Sequence, residues 1–506
     1  MCLKSSFYIR VCQYHLRQAL TDFIKIDRII SSLKLFWRST MVNEIISLIN
    51  DALYSKILII VLILGGLYFT FRTKFVQFRL FKEQIRAVTE KPDEKSGVSS
   101  FQALMVSTAS RVGTGNIIGV STAICLGGFG SVFWMWLIAL IGGASAFIES
   151  TLAQIFKKKG PDGSYGGPAY YIEALCKNRV LAVIFAIFLI LTYGVGFNML
   201  ASYNLQSTFS AYEFYNPEIT PWIIGLIIAG LVCFCLFGGG KRIIKATSFI
   251  VPIMGVAYII VALVIVFMNV TALPSIFGRI FSEAFNFEAI FGGFSGSCVM
   301  YGIKRGLFSN EAGVGSAPNA SASADVSHPV KQGLVQVLSV FIDTILVCSA
   351  TAFMCMSSGV EPNKALSGAA YIQQAMQTAL GNFGPIFITV AMTLFAFTTL
   401  LGNLFYVDKS ICYIMGKVPG KVFNTIYYII ASLAILFGAV LSADLLWNVA
   451  DVLMGGMTLI NMPVCIILSK YVFRALDDYT GQRRLGKEPK FIAKNIGIKE
   501  KLDYWN

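Results

Sequence analysis

Apolar runs of 18 residues or more recur along nearly the whole of this 506-residue chain, and a run of that length crosses the ~30 Å hydrocarbon core of a bilayer as a helix. Hydrophobic residues make up 56% of the sequence and charged ones 13%, and the mean hydropathy is +0.69. Such a composition excludes a string of water-soluble domains and predicts an all-α polytopic membrane protein lying in membrane lipid. The net charge of +14 does not signal nucleic acid, because Lys and Arg fall between the apolar runs rather than along one amphipathic face.

Enzyme chemistry finds little support. Most of the 11 cysteines lie in apolar stretches (Cys125, Cys233, Cys235, Cys298, Cys348, Cys355, Cys465) and read as free thiols. Two histidines, His15 and His328, are too few for zinc chemistry of the usual kind, and no GxxxxGK[ST] run is present to hold ATP phosphates. No cofactor is expected, and any pumping must be driven by something other than ATP.

Windows of about 20 residues place spans at roughly 53-71, 101-126, 129-156, 180-206, 220-237, 243-268, 288-303, 332-357, 383-407, 422-441 and 445-469. Thirty Lys and Arg then occupy alternate loops and the tail from Lys470, against two, Arg279 and Lys364, in the opposite loops that follow the first span. The positive-inside bias predicts a cytoplasmic C-terminus and a first span that starts outside. Residues 1-40 conflict with that face by carrying seven basic residues. We expect translation to begin at Met41, the alternative being a basic arm or amphipathic surface helix.

Two spans are interrupted by glycine-rich polar runs, Gly113-Thr114-Gly115-Asn116 and Gly292-Gly293-Phe294-Ser295-Gly296-Ser297, five spans apart. Unwound backbone at membrane depth is tolerated where it lines a cavity, and matched breaks in two halves point to a transporter binding site. Close packing of small residues is the competing explanation. The spans parse as an extra helix at 41-72, one five-helix repeat over 101-268, a second over 288-469 and a basic tail over 470-506. This resembles the leucine-transporter-type 5+5 inverted repeat. Free N–H groups at a new helix start suit a carboxylate, and freed carbonyls suit a cation or an ammonium.

The chain also resembles the alanine or glycine:cation symporters, on GGFGSVFWMWLIALIG from Gly127, GGPAYYIE from Gly166 and FSNEAGVGSAPNASASA from Phe308. Ser131 stands where that family's signature usually has Gly or Ala, a small-for-small change. The resemblance implies symport of alanine or glycine, coupled to Na⁺ or in some members to protons, in a prokaryotic plasma membrane. Thr114, Gly115, Asn116, Asn198, Gly293, Phe294 and Ser295 are the expected substrate residues. The run from Val112 to Asn116 is further similar to the broken first core helix of neurotransmitter:sodium symporters. By position, that likeness implies Na⁺ on the carbonyls of Ala109 and Val112, with hydroxyls from Thr398 and Thr399. Those threonines could instead bond their own helix one turn back.

Charged groups inside spans are costly and call for partners or water. Arg111 is expected to pair with Asp343 or Glu149, or else to snorkel into a vestibule. Pro252 and Gly255 read as a kink, and the stretches 160–173 and 308–324 as inner-gate loops. The reading is a symporter of a small neutral amino acid. A proton-coupled or glutamine- or serine-selective symporter of the same fold is the nearest alternative, and a channel the alternative from another class.

Overall fold

The computed structural model describes residues 40–92, 97–160, 163–177, 179–286, 297–498 and 501–505. The chain divides into two compact units, Met1–Asn50 and Asp51–Asn506. In the first, the described residues open the helix Thr40–Ala52. Among the described residues the second is helical apart from a short antiparallel hairpin, Lys158–Gly160 with Gly163–Tyr165.

Among the described residues seven helices are long and apolar enough to cross a membrane, including Gly130–Ile155, Phe383–Met415 and Ala443–Arg484, and shorter apolar helices include Leu58–Arg72 and Thr220–Leu236. Burial separates the inner helices from the rim. Gly130–Ile155 has 72% of its apolar window inside the protein, whereas Lys421–Gly438 has 17%. On the rim Phe234, Phe249, Val422 and Ile430 point outward, as lipid contact requires of groups that have no water to face. Inner helices approach closely where glycine removes the side chain. A Cβ on Gly402 would meet the Ser110 nitrogen at 2.7 Å, and one on Gly302 the Ser131 carbonyl oxygen at 2.4 Å, so small residues bring these backbones together.

Two corrections to the sequence reading concern helix limits. Of the span expected at 288–303, residues 288–296 lie outside the described residues, and the described part runs past 303 as the helix Cys298–Asn310, capped by Ser297, whose side chain accepts from the Met300 N–H. The span expected at 445–469 is part of the helix Ala443–Arg484, which continues past Lys470. The hydropathy window loses a helix once it leaves the apolar layer, although its backbone bonds continue.

Beyond Arg484 the chain packs across the ends of several helices. Trp505 is buried and its indole N–H donates to the Gln154 carbonyl at 2.8 Å, while the Phe491 N–H donates to the Ser327 carbonyl at 3.0 Å. Lys331, fully buried, pairs with Glu90 and, at 2.7 Å, with Glu488. Glu488 is buried in part, which alone would raise its pKa, but Lys331 and Arg483 outweigh that and hold it low.

Candidate functional site

The first break follows from its sequence. Ser99 opens the helix Ser100–Arg111 with a capping box to Gln102, and the helix stops at Val112, whose φ of −74° and ψ of 84° are not helical. The Gly113 N–H donates to Asn116 Oδ1 at 2.8 Å, so the Asn116 side chain replaces the partner that the lost turn would have supplied. Its Nδ2 donates to Asp343 Oδ1 at 2.7 Å and to the Asp343 carbonyl at 3.2 Å. Ser309 and Thr344 also donate to Asp343 Oδ2, each at 2.7 Å. Asn116 thus joins the break to a buried carboxyl cluster.

The second expected break, 292–297, lies outside the described residues but for Ser297. Gly293, Phe294 and Ser295 fall outside the described residues. Among the described residues the interruption is at Glu311–Ser316, within the stretch read as a gate loop. Glu311 is left-handed (φ 53°), Gly313 and Gly315 have φ of 88° and 92°, and a four-residue helix, Pro318–Ser321, follows. Asn310 Oδ1 accepts from the Ala312 N–H at 3.0 Å, the same use of an asparagine as at Asn116. Asn461 Nδ2 donates to the Gly313 carbonyl at 2.9 Å and to Glu149 Oε2 at 3.0 Å. The window method sees a break only between two apolar runs, and the chain after Ser316 is too polar and too briefly helical to supply the second.

The remaining candidates separate by geometry. Thr399 Oγ1 donates to the Ala109 carbonyl at 3.1 Å, and a Cβ on Gly113 would lie 2.1 Å from that hydroxyl. Thr399, Ala109 and the break are therefore in contact. Thr398 is not in the group. Its hydroxyl bonds back to Leu394 and Phe395 carbonyls at 3.0 and 3.1 Å, because adjacent helical residues point about 100° apart. Thr114 Oγ1 accepts from Asn204 Nδ2 at 3.0 Å, and Gly115 faces the Phe308 ring, which a Cβ would meet at 2.8 Å. Asn198 Oδ1 accepts from Asn403 Nδ2 at 2.9 Å, and Asn403 accepts from Ser110 at 2.6 Å. The Nδ2 of Asn198 is buried without a partner. Pro252 lies inside the continuous helix Gly239–Met268.

Arg111 takes neither expected ion pair. Its Nη1 donates to Gln336 at 3.0 Å, while its charge acts on Glu149, Glu311 and Asp343 together. Asn204, Asn403, Ser309, Thr344 and Asn461 were not singled out from sequence, since lone polar residues in spans more often bridge helices than bind ligands.

A profile of the sodium:alanine symporter family matches residues 39–493. The chain belongs to that family. It is 42% identical over 467 residues to "Probable sodium/glutamine symporter GlnT" of Bacillus subtilis, covering 92% of this chain and 96% of that one. It is 37% identical over 437 residues to "Sodium/proton-dependent alanine carrier protein" of Bacillus sp. strain PS3, covering 83% and 96%. Among solved structures, MhsT in complex with L-phenylalanine superposes with a TM-score of 0.52 at 13% identity, over 79% of this chain and 95% of that one. That likeness bears out the leucine-transporter-type fold. As a member of the sodium:alanine symporter family the chain is a multi-pass membrane transporter of amino acids, not an enzyme.

Proposed function

We propose that the protein couples Na⁺ entry to uptake of a small neutral amino acid, alanine or glycine, across a bacterial plasma membrane, with its C-terminal side cytoplasmic. The observation that carries this reading is the contact of Thr399 with the Ala109 carbonyl and Gly113 at the first break. It gathers hard oxygen donors, which an alkali cation needs, against unwound backbone, which a zwitterion needs. The Val112 carbonyl adjoins this group, and Thr114, Gly115 and Asn116 supply the substrate side, with Asn198 as a further donor. Phe308 against Gly115 limits side-chain size and favours alanine over larger substrates. Gly293, Phe294 and Ser295 remain proposed contacts from the sequence alone. One Na⁺ crossing roughly 150 mV releases about 3.5 kcal/mol, enough for about a 300-fold gradient of a neutral substrate.

The second reading is glutamine as substrate or protons as coupling ion, favoured by the names of the two relatives. Uptake of labelled alanine, glycine and glutamine into proteoliposomes decides between them. Accumulation should require an inward Na⁺ gradient and persist with the pH clamped. Accumulation driven by a pH gradient alone would replace Na⁺ by protons, and equilibration without accumulation would make the protein a channel.

A further inference from the structure

A second set of charges lies toward the end of the bundle opposite Arg484. The helix Cys298–Asn310 presents Lys304, Arg305 and Phe308 at spacings of three and four, and the helix Ala443–Arg484 presents Trp447 and Asp451 four apart, so each set shares one helical face. Lys304 Nζ and Arg305 Nη2 meet one and the same oxygen, Asp451 Oδ2, at 2.9 and 3.2 Å. All three are buried, and Asp451 is fully so. Lys304 and Arg305 are therefore not loop charges, as the sequence count took them to be.

Asp451 Oδ1, Arg305 Nε and Arg305 Nη1 are buried with no hydrogen-bond partner among the described residues. A buried charged group left half satisfied is costly, and a structure retains it where something else completes it. The unused groups are complementary to two things at once: free guanidinium N–H groups take a carboxylate, and a lone carboxylate oxygen takes an ammonium. The surroundings connect this place to the first break. The Arg305 guanidinium lies 3.9 Å over the Trp447 ring, Trp447 and Phe308 have ring centroids 4.8 Å apart, and Phe308 covers Gly115.

We infer that Arg305 and Asp451 form a separate recognition site for a zwitterionic α-amino acid. The carboxylate is held by the unused N–H groups of Nη1 of Arg305 and the ammonium by Oδ1 of Asp451. Lys304, which also feels Asp51, keeps its hold on Oδ2 meanwhile. The aromatic pair Phe308–Trp447 divides this site from the break, so an amino acid is selected for both charged ends before it reaches the unwound backbone. The inference rests on the amino-acid transport reading and adds an earlier site to it.

The test uses the purified full-length protein and the fluorescence of Trp447, isolated by subtracting the Trp447→Phe variant. L-alanine, L-alaninamide and N-acetyl-L-alanine are titrated at equilibrium into the Gly113→Leu background, where the break is blocked, and in parallel into the unaltered protein without Na⁺, which weakens binding at the break, so that the reading does not depend on that variant folding. Alanine should perturb Trp447, and the two analogues, each lacking one charged end, should bind at least tenfold more weakly. Arg305→Gln and Asp451→Asn should each weaken the alanine response at least tenfold. In the unblocked protein they should raise the half-saturating concentration for uptake more than the maximal rate falls. Should Arg305→Gln not fold, Arg305→Lys keeps a charge for Asp451, removes the Nη1 donors and is expected to lose the response equally. Equal responses to all three probes, or an Arg305 variant that responds like its parent, overturn the inference. Absence of coupled uptake in the unaltered protein would instead overturn the transport reading, since the fluorescence titration requires no transport.

Discussion

The Thr399 hydroxyl donates to the Ala109 carbonyl across 3.1 Å, tying the helix Phe383–Met415 to the last turn before the first break. If Na⁺ sits between them, Thr399→Val removes an oxygen donor at nearly constant volume. The half-saturating Na⁺ concentration for uptake should rise several-fold, with coupling to substrate in the usual range of about 1–3 kcal/mol. Thr398→Val should change it little, because that hydroxyl is bound within its own helix. Equal effects in uptake titrations would show that the two are not distinguished by direction.

Gly113→Ala should damage both fold and transport. Its Cβ would stand 2.1 Å from Thr399 Oγ1, and relieving such overpacking typically costs ~1–3 kcal/mol. The pair is in contact, so effects should not add. Thr399→Ala combined with Gly113→Ala should recover part of the thermal stability while leaving Na⁺ dependence impaired. Thermal-shift and uptake measurements on the three variants test this.

Asp343→Asn places an amide NH₂ or a weaker acceptor where Asn116, Ser309 and Thr344 all donate. Each buried donor left unsatisfied is worth about 1–3 kcal/mol. The melting temperature should fall by several degrees and alanine uptake should be lost, whereas Asp343→Ala should be worse in stability. A variant that melts like the parent would show that the break does not depend on this carboxyl.

His328 gives a pH prediction. Burial lowers its pKa below 6.5, with Asp478 opposing that shift in part and Lys331 reinforcing it. Its Nδ1 accepts from the Val330 N–H at 3.2 Å, and Nε2 lies 3.3 Å from Asp478 Oδ2. Protonating Nδ1 would remove the helix cap. The unfolded chain therefore binds the proton at higher pH than the folded one. Stability is fully present above about pH 6.5 and declines as pH falls from there toward the folded-state value. Melting curves between pH 8 and 5 should show this decline, and His328→Asn, which keeps a capping oxygen, should flatten it.

Lys331→Met leaves Glu90 and Glu488 without their shared ammonium. Trypsin should then cut near Arg483, Arg484 and Lys487 several-fold faster than in the parent, as read by gel or intact mass.

How much of this was legible in the sequence depended on the physics of each signal. Spans were legible because lipid imposes an apolar length, and the break at Gly113–Asn116 because apolar runs flank it on both sides. The break at Glu311–Ser316 was in view as part of a motif, yet its role was not, since polarity at a helix end resembles a loop. Neither Thr398 nor Thr399 could be preferred, because both are buried and periodicity carries no direction in a helix enclosed on most sides. The Asp451 pairings join positions 146 and 147 residues apart, which no local pattern announces.

The helix Ala443–Arg484 runs for 42 residues, about 63 Å at 1.5 Å per residue, roughly twice the hydrocarbon thickness. One beam thus carries Asp451 near one end and Asn461 at the middle. At the other end Tyr479 and Arg483 meet Glu83 at 2.7 and 3.1 Å. Its one internal proline, Pro463, is the place where such a beam can flex. Displacements recorded by probes at Asp451 and at Arg483 are therefore two readings of one mechanical member, and any lag between them measures the compliance of that single joint.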